Sequence, residues 1–437
     1  RLVLNVQLVD VATRRVKWGR EYEGPRETYG DLAREAANGV RAALKPGVAP
    51  VPTASTSSAA ELALREGSYF ANRYGLRHEQ ADFDVALGAL RKALDLDPSL
   101  ATAAARIAGL HASKAEAEGP ASEAIKESVE WARRAVEIDR RCGMAWATLA
   151  SLESSKAKPD VDLQLEYALR GAALSPREAL PHMVISNAPG TLSLSIAAAL
   201  KAAEVDPFFL WASGNVVMGL CPLGRPAEAL PFVDRVARVE PDTWLSQLIR
   251  GLALAKLGRF EEARRAMAPW EKHFVENPRS FLSQVWGQIR FDLAAAERDT
   301  TTIAALEKHL LRPLLDGSAE SITLWNATVF VCPALARLGR RDESIRILLR
   351  SVDAGIPPPY DFLLRDTELR TLRDDPRFAT VLAASRDGAA KIAGTLERAR
   401  ARGELPAYLE KPLRELNELL KGGPEGQRSA REEPSRS

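Results

Sequence analysis

Few residues of this chain have the types and the spacing that chemistry requires. The five histidines are scattered, at His78, His111, His182, His273 and His309. None of them stands at metal-ligand spacing from a cysteine or a carboxylate. The three cysteines, Cys142, Cys221 and Cys332, form no CxxC pair, and we interpret them as free thiols, mostly buried in helices, as in a reducing compartment. These patterns predict no bound metal and no cofactor.

The sequence contains no motif of the common catalytic classes. It lacks the G-x-x-x-x-G-K-[ST] loop that binds phosphates, the H-E-x-x-H zinc motif and the G-x-S-x-G nucleophile turn. The Gly-rich loop, H-R-D and D-F-G motifs of protein kinases are also absent. Carboxylate pairs such as Glu261-Glu262 and Asp374-Asp375 lie at predicted helix starts or loops, where nothing marks an acid/base pair. We therefore predict that this chain is not an enzyme.

Charge and hydropathy argue against two further classes of function. The chain has 60 Lys and Arg against 58 Asp and Glu, a formal net charge of +2 and a pI near 8.4. This balance predicts no nucleic-acid binding. No apolar run approaches the ~20 residues of a membrane-spanning helix and no signal peptide is present, so we expect no membrane insertion by this chain. Because it begins with Arg1, we expect the C-terminal part of a longer protein, cytoplasmic unless the missing part carries a membrane or export segment.

A repeat of 34 residues sets the elements that would position any site. Four pairs of residues stand 34 positions apart: Pro207 and Pro241, Gly224 and Gly258, Ala229 and Ala263, and Val233 and Met267. The glycine would end a first helix with a positive φ, and the proline would stop a second helix. The alanine would lie where the two helices cross closely. Each helix pair has an apolar face that it cannot bury alone, so the period predicts a stack of helix-turn-helix units.

The frame of Leu-Gly-Arg (223–225 and 257–259), Glu-Ala (228–229 and 262–263) and closing proline resembles the tetratricopeptide repeat (TPR) family. The resemblance implies a mainly α fold, a TPR-type α-solenoid of about six or seven helix-turn-helix units, with a small α/β remnant at its N-terminus. Further units are indicated at 59–98, 101–139, 146–176 and 338–348, and 281–315 is helical but irregular. Leu369, Leu372 and Phe378 are expected to plug the end of the solenoid.

The first 44 residues have a different pattern, of two strands and a helix. Leu2, Leu4, Val6 and Leu8 alternate onto one face of a first strand, and Val16, Trp18 and Tyr22 lie on one face of a second. An amphipathic helix follows, with apolar residues at Tyr29, Leu32, Ala36, Val40 and Leu44. The run Val6-Gln7-Leu8-Val9-Asp10, followed by Thr13, Trp18, Tyr22 and this helix, resembles the end of the TolB amino-terminal-like domain. That resemblance implies a bacterial signalling protein with a serine/threonine protein kinase or a nucleotide cyclase upstream of Arg1.

We divide the chain into five parts. Residues 1–44 are the C-terminal part of the α/β domain, and 45–58 form a flexible linker rich in Pro, Ser and Thr. Residues 59–385 form the TPR-like solenoid, and 386–421 form C-terminal helices. The tail at 422–437 is expected to be disordered.

The resemblance to TPR arrays also locates a candidate binding groove. In these arrays the concave surface is lined by positions two, five, nine and thirteen of each first helix. On helices that begin at Leu210 and Trp244, the candidate partner-binding residues are Trp211, Met218, Leu245, Leu248, Leu252 and Lys256. This groove is apolar and lacks the Lys, Arg and Asn ring of the family's chaperone-tail binders. We expect it to hold an apolar or helical protein segment, or equally a missing part of the same protein.

Five tryptophans raise a separate question, since aromatic side chains can stack on a ligand. They are Trp211, Trp244, Trp270, Trp286 and Trp325. Their helical spacing favours core packing, because large apolar residues dominate the interiors of repeat proteins.

The sequence thus favours a non-catalytic protein-protein interaction or regulatory region whose partner is a protein or peptide. The alternative is the regulatory arm of a serine/threonine protein kinase or nucleotide cyclase whose catalytic domain lies upstream and contacts this region. A third interpretation is a structural oligomerisation scaffold.

Overall fold

A computed structural model describes residues 1–9, 16–25, 29–44, 58–118, 122–154, 156, 159–188, 190–276, 281–319 and 321–422. The predicted turn at 10–15 lies outside these residues. So do the predicted linker and tail, except for Ser58, which begins a helix, and Gly422.

The N-terminal part is an antiparallel hairpin covered on one face by a helix. Strand β1 (Leu2–Val9) pairs with β2 (Val16–Gly24), and helix α1 (Tyr29–Leu44) packs against both strands. Leu4 stands opposite Tyr22 in the register, and Tyr22 is buried together with Leu32 and Ala36 of α1. The hairpin and helix expected from the apolar alternation are therefore confirmed.

The described residues that follow form eight helix pairs, stacked in chain order. They are α2 (Ser58–Arg77) with α3 (Gln80–Leu96), α4 (Ala101–Glu118) with α5 (Ala124–Ile138), α6 (Gly143–Ser154) with α7 (Val161–Leu174), α8 (Ala179–Ser186) with α9 (Leu192–Val205), α10 (Leu210–Leu220) with α11 (Pro226–Val239), α12 (Trp244–Lys256) with α13 (Phe260–Met267), α15 (Phe281–Glu297) with α16 (Thr300–Leu306) and α17 (Arg312–Asp316), and α18 (Ser321–Arg337) with α19 (Arg341–Asp353). Helix α14 (Glu271–Glu276) precedes the seventh pair, and a π turn at Glu307–Leu311 joins α16 to α17. The fold is therefore a mainly α solenoid, as predicted.

The turn inside the repeat has the backbone that its glycine predicts. Gly224, Gly258 and Gly339 have φ values of 73°, 76° and 78°. The next residue donates its N–H to the carbonyl five positions back, as Arg259 does to Leu254 at 2.9 Å. Such a left-handed residue closes a helix end, and glycine adopts it without steric cost.

The arginine of this turn is tied to the glutamate three positions later. Arg259 donates from Nε and Nη2 to the two carboxylate oxygens of Glu262, both at 2.7 Å. The same bidentate geometry recurs at Arg225 with Glu228 and at Arg340 with Glu343. This recurrence explains why the repeated sequence keeps both the arginine and the glutamate, because their ion pair connects the loop between the two helices to the N-terminus of the second helix.

The last described segment contains three α-helices that fold back on the middle of the solenoid. Helix α20 (Tyr360–Arg365), a 3-10 turn at Leu369–Leu372, α21 (Pro376–Ala401), a 3-10 turn at Ala407–Leu409 and α22 (Glu410–Lys421) follow the last pair. We call residues 360–421 the strap. It packs against α7, α9 and α19. Helix α21 runs through position 385, where the sequence analysis placed the end of the solenoid.

The first helix pair also crosses to a distant part of the solenoid. Arg77, at the end of α2, pairs with Glu240 at 2.7 Å. Leu76 belongs to the largest apolar cluster, which extends over the fourth to eighth helix pairs. Leu369, Leu372 and Phe378 are buried in the same cluster, at the end where a plug was expected. Contacts between distant helix pairs thus close the inner side of the solenoid.

Candidate protein-binding site

The three leucines predicted to line the groove lie inside the protein. Leu245, Leu248 and Leu252 are 3, 2 and 0% exposed. They share the largest apolar cluster with Leu76 of the first helix pair. A partner cannot reach these side chains in this conformation, because the inner side of α12 is already covered by the chain itself.

The two groove residues on α10 lie at the edge of the same cluster. Trp211 and Met218 are half-buried and pack against it. The rings of Trp211 and Trp244 meet edge-on, with centroids 5.2 Å apart. Trp244 and Trp286 are buried at 5% exposure, and Trp270 and Trp325 are half-buried against the same cluster. The tryptophans are therefore packing residues.

Lys256, the one cation among the candidate residues, belongs to an ion-pair network. Its Nζ lies 2.5 Å from the Asp292 carboxylate, which is 5% exposed. Arg337 pairs with Asp292 at 3.3 Å and with Glu368 at 3.0 Å. Two cations and two carboxylates from four chain segments balance one another, so Lys256 contributes to the closure of the inner side.

A polar cleft of about 200 Å³ opens elsewhere, between α2, α4, the start of α8 and the turn from α9 to α10. The residues that give it its chemistry are Asn72, Arg106, Arg177, Glu178, Asp206 and Phe209. We call it the Arg106 cleft. Unlike the predicted groove, it is not filled by a side chain of the described residues.

The side chain of Arg106 is half-buried, at 22% exposure, and its guanidinium lacks a full set of partners. Its Nη2 lies 3.6 Å from Glu178, a long ion pair, and its Nε has no hydrogen-bond partner among the described residues. Burial lowers the pKa of Arg106, against the attraction of Glu178 and Asp206. An incompletely paired, desolvated cation favours an additional acceptor.

An exposed aromatic residue stands beside this cleft. Phe208 is 74% exposed and lies in the turn between Asp206 and Phe209, which both line the cleft. The Asp206 carboxylate accepts the Phe208 N–H at 2.9 Å, which holds the turn. Arg177, on the neighbouring turn, is exposed and forms no ion pair within the described part of the chain. Aromatic residues and arginines together are the composition of interaction hot spots.

Sequence reasoning missed this cleft, although two signals marked its residues. Arg106 is the only charged residue among the first ten of α4, where alanine dominates. Phe208 and Phe209 adjoin in a turn between helices, where polar residues are the rule. Neither signal indicates that α4 and the turn after α9 come together, because that depends on the path of the solenoid.

The cysteines are free and buried, as expected, but of the three only Cys332 lies within a helix, since Cys142 directly precedes α6 and Cys221 directly follows α10. Burial raises the pKa of the Cys221 thiol to about 12 and raises the pKa of Cys142 and Cys332, so the reactive thiolate is disfavoured at all three. Among the described residues, no three side chains of His, Cys, Asp or Glu converge as metal ligands. No helix in that part of the chain is long and apolar enough to cross a membrane.

Comparison with known proteins adds little to this description. No protein-family model and no curated protein matches the sequence. Among solved structures, a tetratricopeptide repeat protein from Parabacteroides merdae is similar at 11% identity and a TM-score of 0.29, over 71% of this chain and 99% of that one. The Cut9-Hcn1 hetero-tetramer of APC/C is similar at 11% identity and a TM-score of 0.31, over 92% of this chain and 93% of that one. At such scores the assignment as an α-solenoid rests on the helix pairs of this chain.

Proposed function

We propose that this chain is a non-catalytic protein-interaction module that docks a partner polypeptide at the Arg106 cleft. The observation that carries the proposal is the incompletely paired guanidinium of Arg106 in a cleft whose lining includes the turn that exposes the ring of Phe208. A partner would present a hydrogen-bond acceptor to Arg106 and Arg177, and an apolar side chain to Phe208. This combination places a desolvated polar contact beside an aromatic anchor.

The cleft changes the partner expected from the sequence. An apolar helix suited the groove at Leu245 and Leu248, but those side chains are covered. The cleft combines donors at Asn72, Arg106 and Arg177 with acceptors at Glu178 and Asp206. A short polar segment with one apolar anchor fits this lining better than an apolar helix face.

A role in bacterial signalling, as part of a kinase or cyclase, is supported only by the resemblance of the first 44 residues to the TolB amino-terminal-like domain. Contact with an upstream domain and a cytoplasmic location belong to the same proposal. The order of the chain, with an α/β part before the repeats, agrees with it.

The test compares partner capture by immobilised wild-type and variant chains from an extract of the source organism. Phe208→Ser and Arg106→Gln are expected to lose the same captured polypeptides at unchanged helicity by circular dichroism. Val239→Ser is the matched control, since Val239 is 40% exposed at the end of the next second helix, α11. Retention of every captured polypeptide by both cleft variants would contradict docking at the cleft.

A further inference from the structure

The strap is held on the solenoid by polar contacts between residues far apart in sequence. The buried Asp361 carboxylate accepts hydrogen bonds from Leu192 N at 2.9 Å, Ser193 N at 2.9 Å and Ser193 Oγ at 2.7 Å. These groups form the N-terminus of α9, where a carboxylate is favoured. Thr395 Oγ1 donates to Asp162 Oδ1 at 2.9 Å on α7. Such directional hydrogen bonds fix one position of the strap on the solenoid, which apolar packing alone would specify less strictly.

A third contact joins the strap to the Arg106 cleft through one histidine. His182 on α8 is 1% exposed. Its Nε2 lies 3.1 Å from the carbonyl oxygen of Pro176, which can only accept, so Nε2 carries the ring hydrogen. Its Nδ1 then accepts the hydroxyl hydrogen of Tyr408, 2.9 Å away on the strap. Pro176 directly precedes Arg177 and Glu178, so a single neutral imidazole connects the strap with the turn that lines the cleft.

This arrangement suits a neutral imidazole and opposes a charged one. A second ring hydrogen would stand on Nδ1 and point at the Tyr408 hydroxyl. The hydroxyl would have to accept instead, and its own hydrogen would lose the imidazole nitrogen that now accepts it. Burial raises the pKa of Tyr408, so its hydroxyl stays protonated and cannot neutralise the imidazolium.

The other charges near His182 do not offset this effect. Among the charged groups on the helices packed against α8, those that act on His182 are Lys201 and Glu204 of α9, which have opposite signs. Burial lowers the pKa of His182, and the hydrogen bond to the Pro176 carbonyl works in the other direction. With the strap released, the imidazole would meet water and its pKa would return towards the usual value of about 6.5.

We propose that His182 and Tyr408 form an acid-sensitive latch, in which proton uptake at His182 releases the strap and loosens the turn of the Arg106 cleft. As regulation of docking, the latch rests on the proposed function. The protein with its strap docked on the solenoid binds fewer protons than the protein with the strap released. The strap is therefore held most strongly above the ordinary histidine pKa, and its hold weakens as the pH falls below that value. At a pH below the His182 pKa of both the docked and the released strap, the equilibrium favours the released strap about tenfold for each pH unit that separates these two pKa values.

Hydrogen exchange read by mass spectrometry on the full chain tests the latch. It is measured at about pH 7.5 and about pH 5.5, on either side of the ordinary histidine pKa. Peptides from 260–267, on α13, which packs against α12 and α15 and not against the strap, correct for the intrinsic effect of pH on exchange. In the wild type, exchange of 376–421 and of 177–180 should accelerate several-fold at the lower pH relative to the reference. In His182→Gln this acceleration should be absent in both segments.

Two further variants keep the test decisive. His111 is also buried with a pKa lowered by burial, but its ring meets Phe83 of the first helix pair. His111→Gln should therefore keep the wild-type response. Tyr408→Phe removes only the hydroxyl, so it should accelerate exchange of the strap at the higher pH.

The latch is overturned if the wild-type strap shows no pH response, if His182→Gln keeps that response, or if Tyr408→Phe leaves strap exchange unchanged. Coupling to the cleft is overturned if the strap responds and 177–180 does not. The measurement needs no partner, so these failures are distinct from a failure of partner capture by the cleft variants.

Discussion

Replacing Arg298 with glycine should stabilise the seventh helix pair by about 0.5–1 kcal/mol. Arg298 has φ 58°, in the left-handed region that glycine occupies in other units. The hydrogen bonds match as well, since Asp299 N donates to Ala294 O at 2.9 Å, as Arg259 N does to Leu254 O. The side chain of Arg298 is exposed and makes no hydrogen bond or ion pair in the described structure, so its removal loses no contact.

The stabilisation expected from Arg298→Gly is the difference between two opposing effects of glycine. A residue with a Cβ loses about 1–2 kcal/mol in the left-handed conformation. Glycine avoids this loss but gains freedom in the unfolded chain, which offsets about 0.5–1 kcal/mol. The reciprocal variant is Gly258→Arg at φ 76°, where an added Cβ would meet no atom within 4 Å. It should destabilise the sixth pair by a similar amount, because only the backbone conformation is penalised.

Native-state hydrogen exchange at increasing urea concentration is the suitable assay. A stacked array opens in parts, so one global unfolding midpoint would average over pairs that the substitution does not touch. The opening free energy is read for 291–306 in Arg298→Gly and for 251–267 in Gly258→Arg. If Arg298→Gly lowers it, or if Gly258→Arg leaves it unchanged, backbone strain does not govern these turns and the reasoning is refuted.

Two more predictions concern the buried polar contacts. Asp361→Asn should weaken docking of the strap by about 1.5–3 kcal/mol, because a charged acceptor is lost. Hydrogen exchange of 376–421 should therefore accelerate. The control is Asp374→Asn at an exposed position, which should leave this exchange unchanged. Lys256→Met should lower the opening free energy of 251–267, read by the same native-state hydrogen exchange, by about 3 kcal/mol. The substitution leaves Asp292 buried with only the 3.3 Å contact to Arg337, and adding Asp292→Leu should recover part of this loss. An equal loss in single and double variants would contradict a net role for the pair.

The turns and helix crossings could be predicted from sequence because they depend on local chemistry. Gly224 and Gly258 have the positive φ that their place after a first helix requires. Ala229 and Ala263 are 0% exposed at the crossing of paired helices. The seventh pair seemed irregular because Arg298 stands where the frame expects glycine, although its backbone is the same. The prediction of this turn from a glycine was wrong there, because the turn tolerates a strained non-glycine residue when the flanking helices hold its backbone.

The covered groove and the strap could not be predicted in this way. Leu248 lies at the position that TPR arrays use for partners, but whether it is open depends on where the first helix pair crosses the solenoid. The Thr395–Asp162 contact spans 233 residues and the His182–Tyr408 contact 226. No periodic pattern encodes a meeting over such separations, because each repeat specifies only its neighbours.

The covered groove bears on where this protein can bind. In an open solenoid the inner side offers a long apolar surface, but here Leu245 and Leu252 already bury against the chain itself. Binding there would first have to break the Arg77–Glu240 pair and expose the cluster around Leu76. That cost is absent at the Arg106 cleft, where Phe208 is exposed and the Nε of Arg106 still lacks an acceptor among the described residues. Binding of a partner is therefore more favourable at the Arg106 cleft than in the groove. Through the His182–Tyr408 contact, the proposed latch lets the strap alter the turn that lines this cleft.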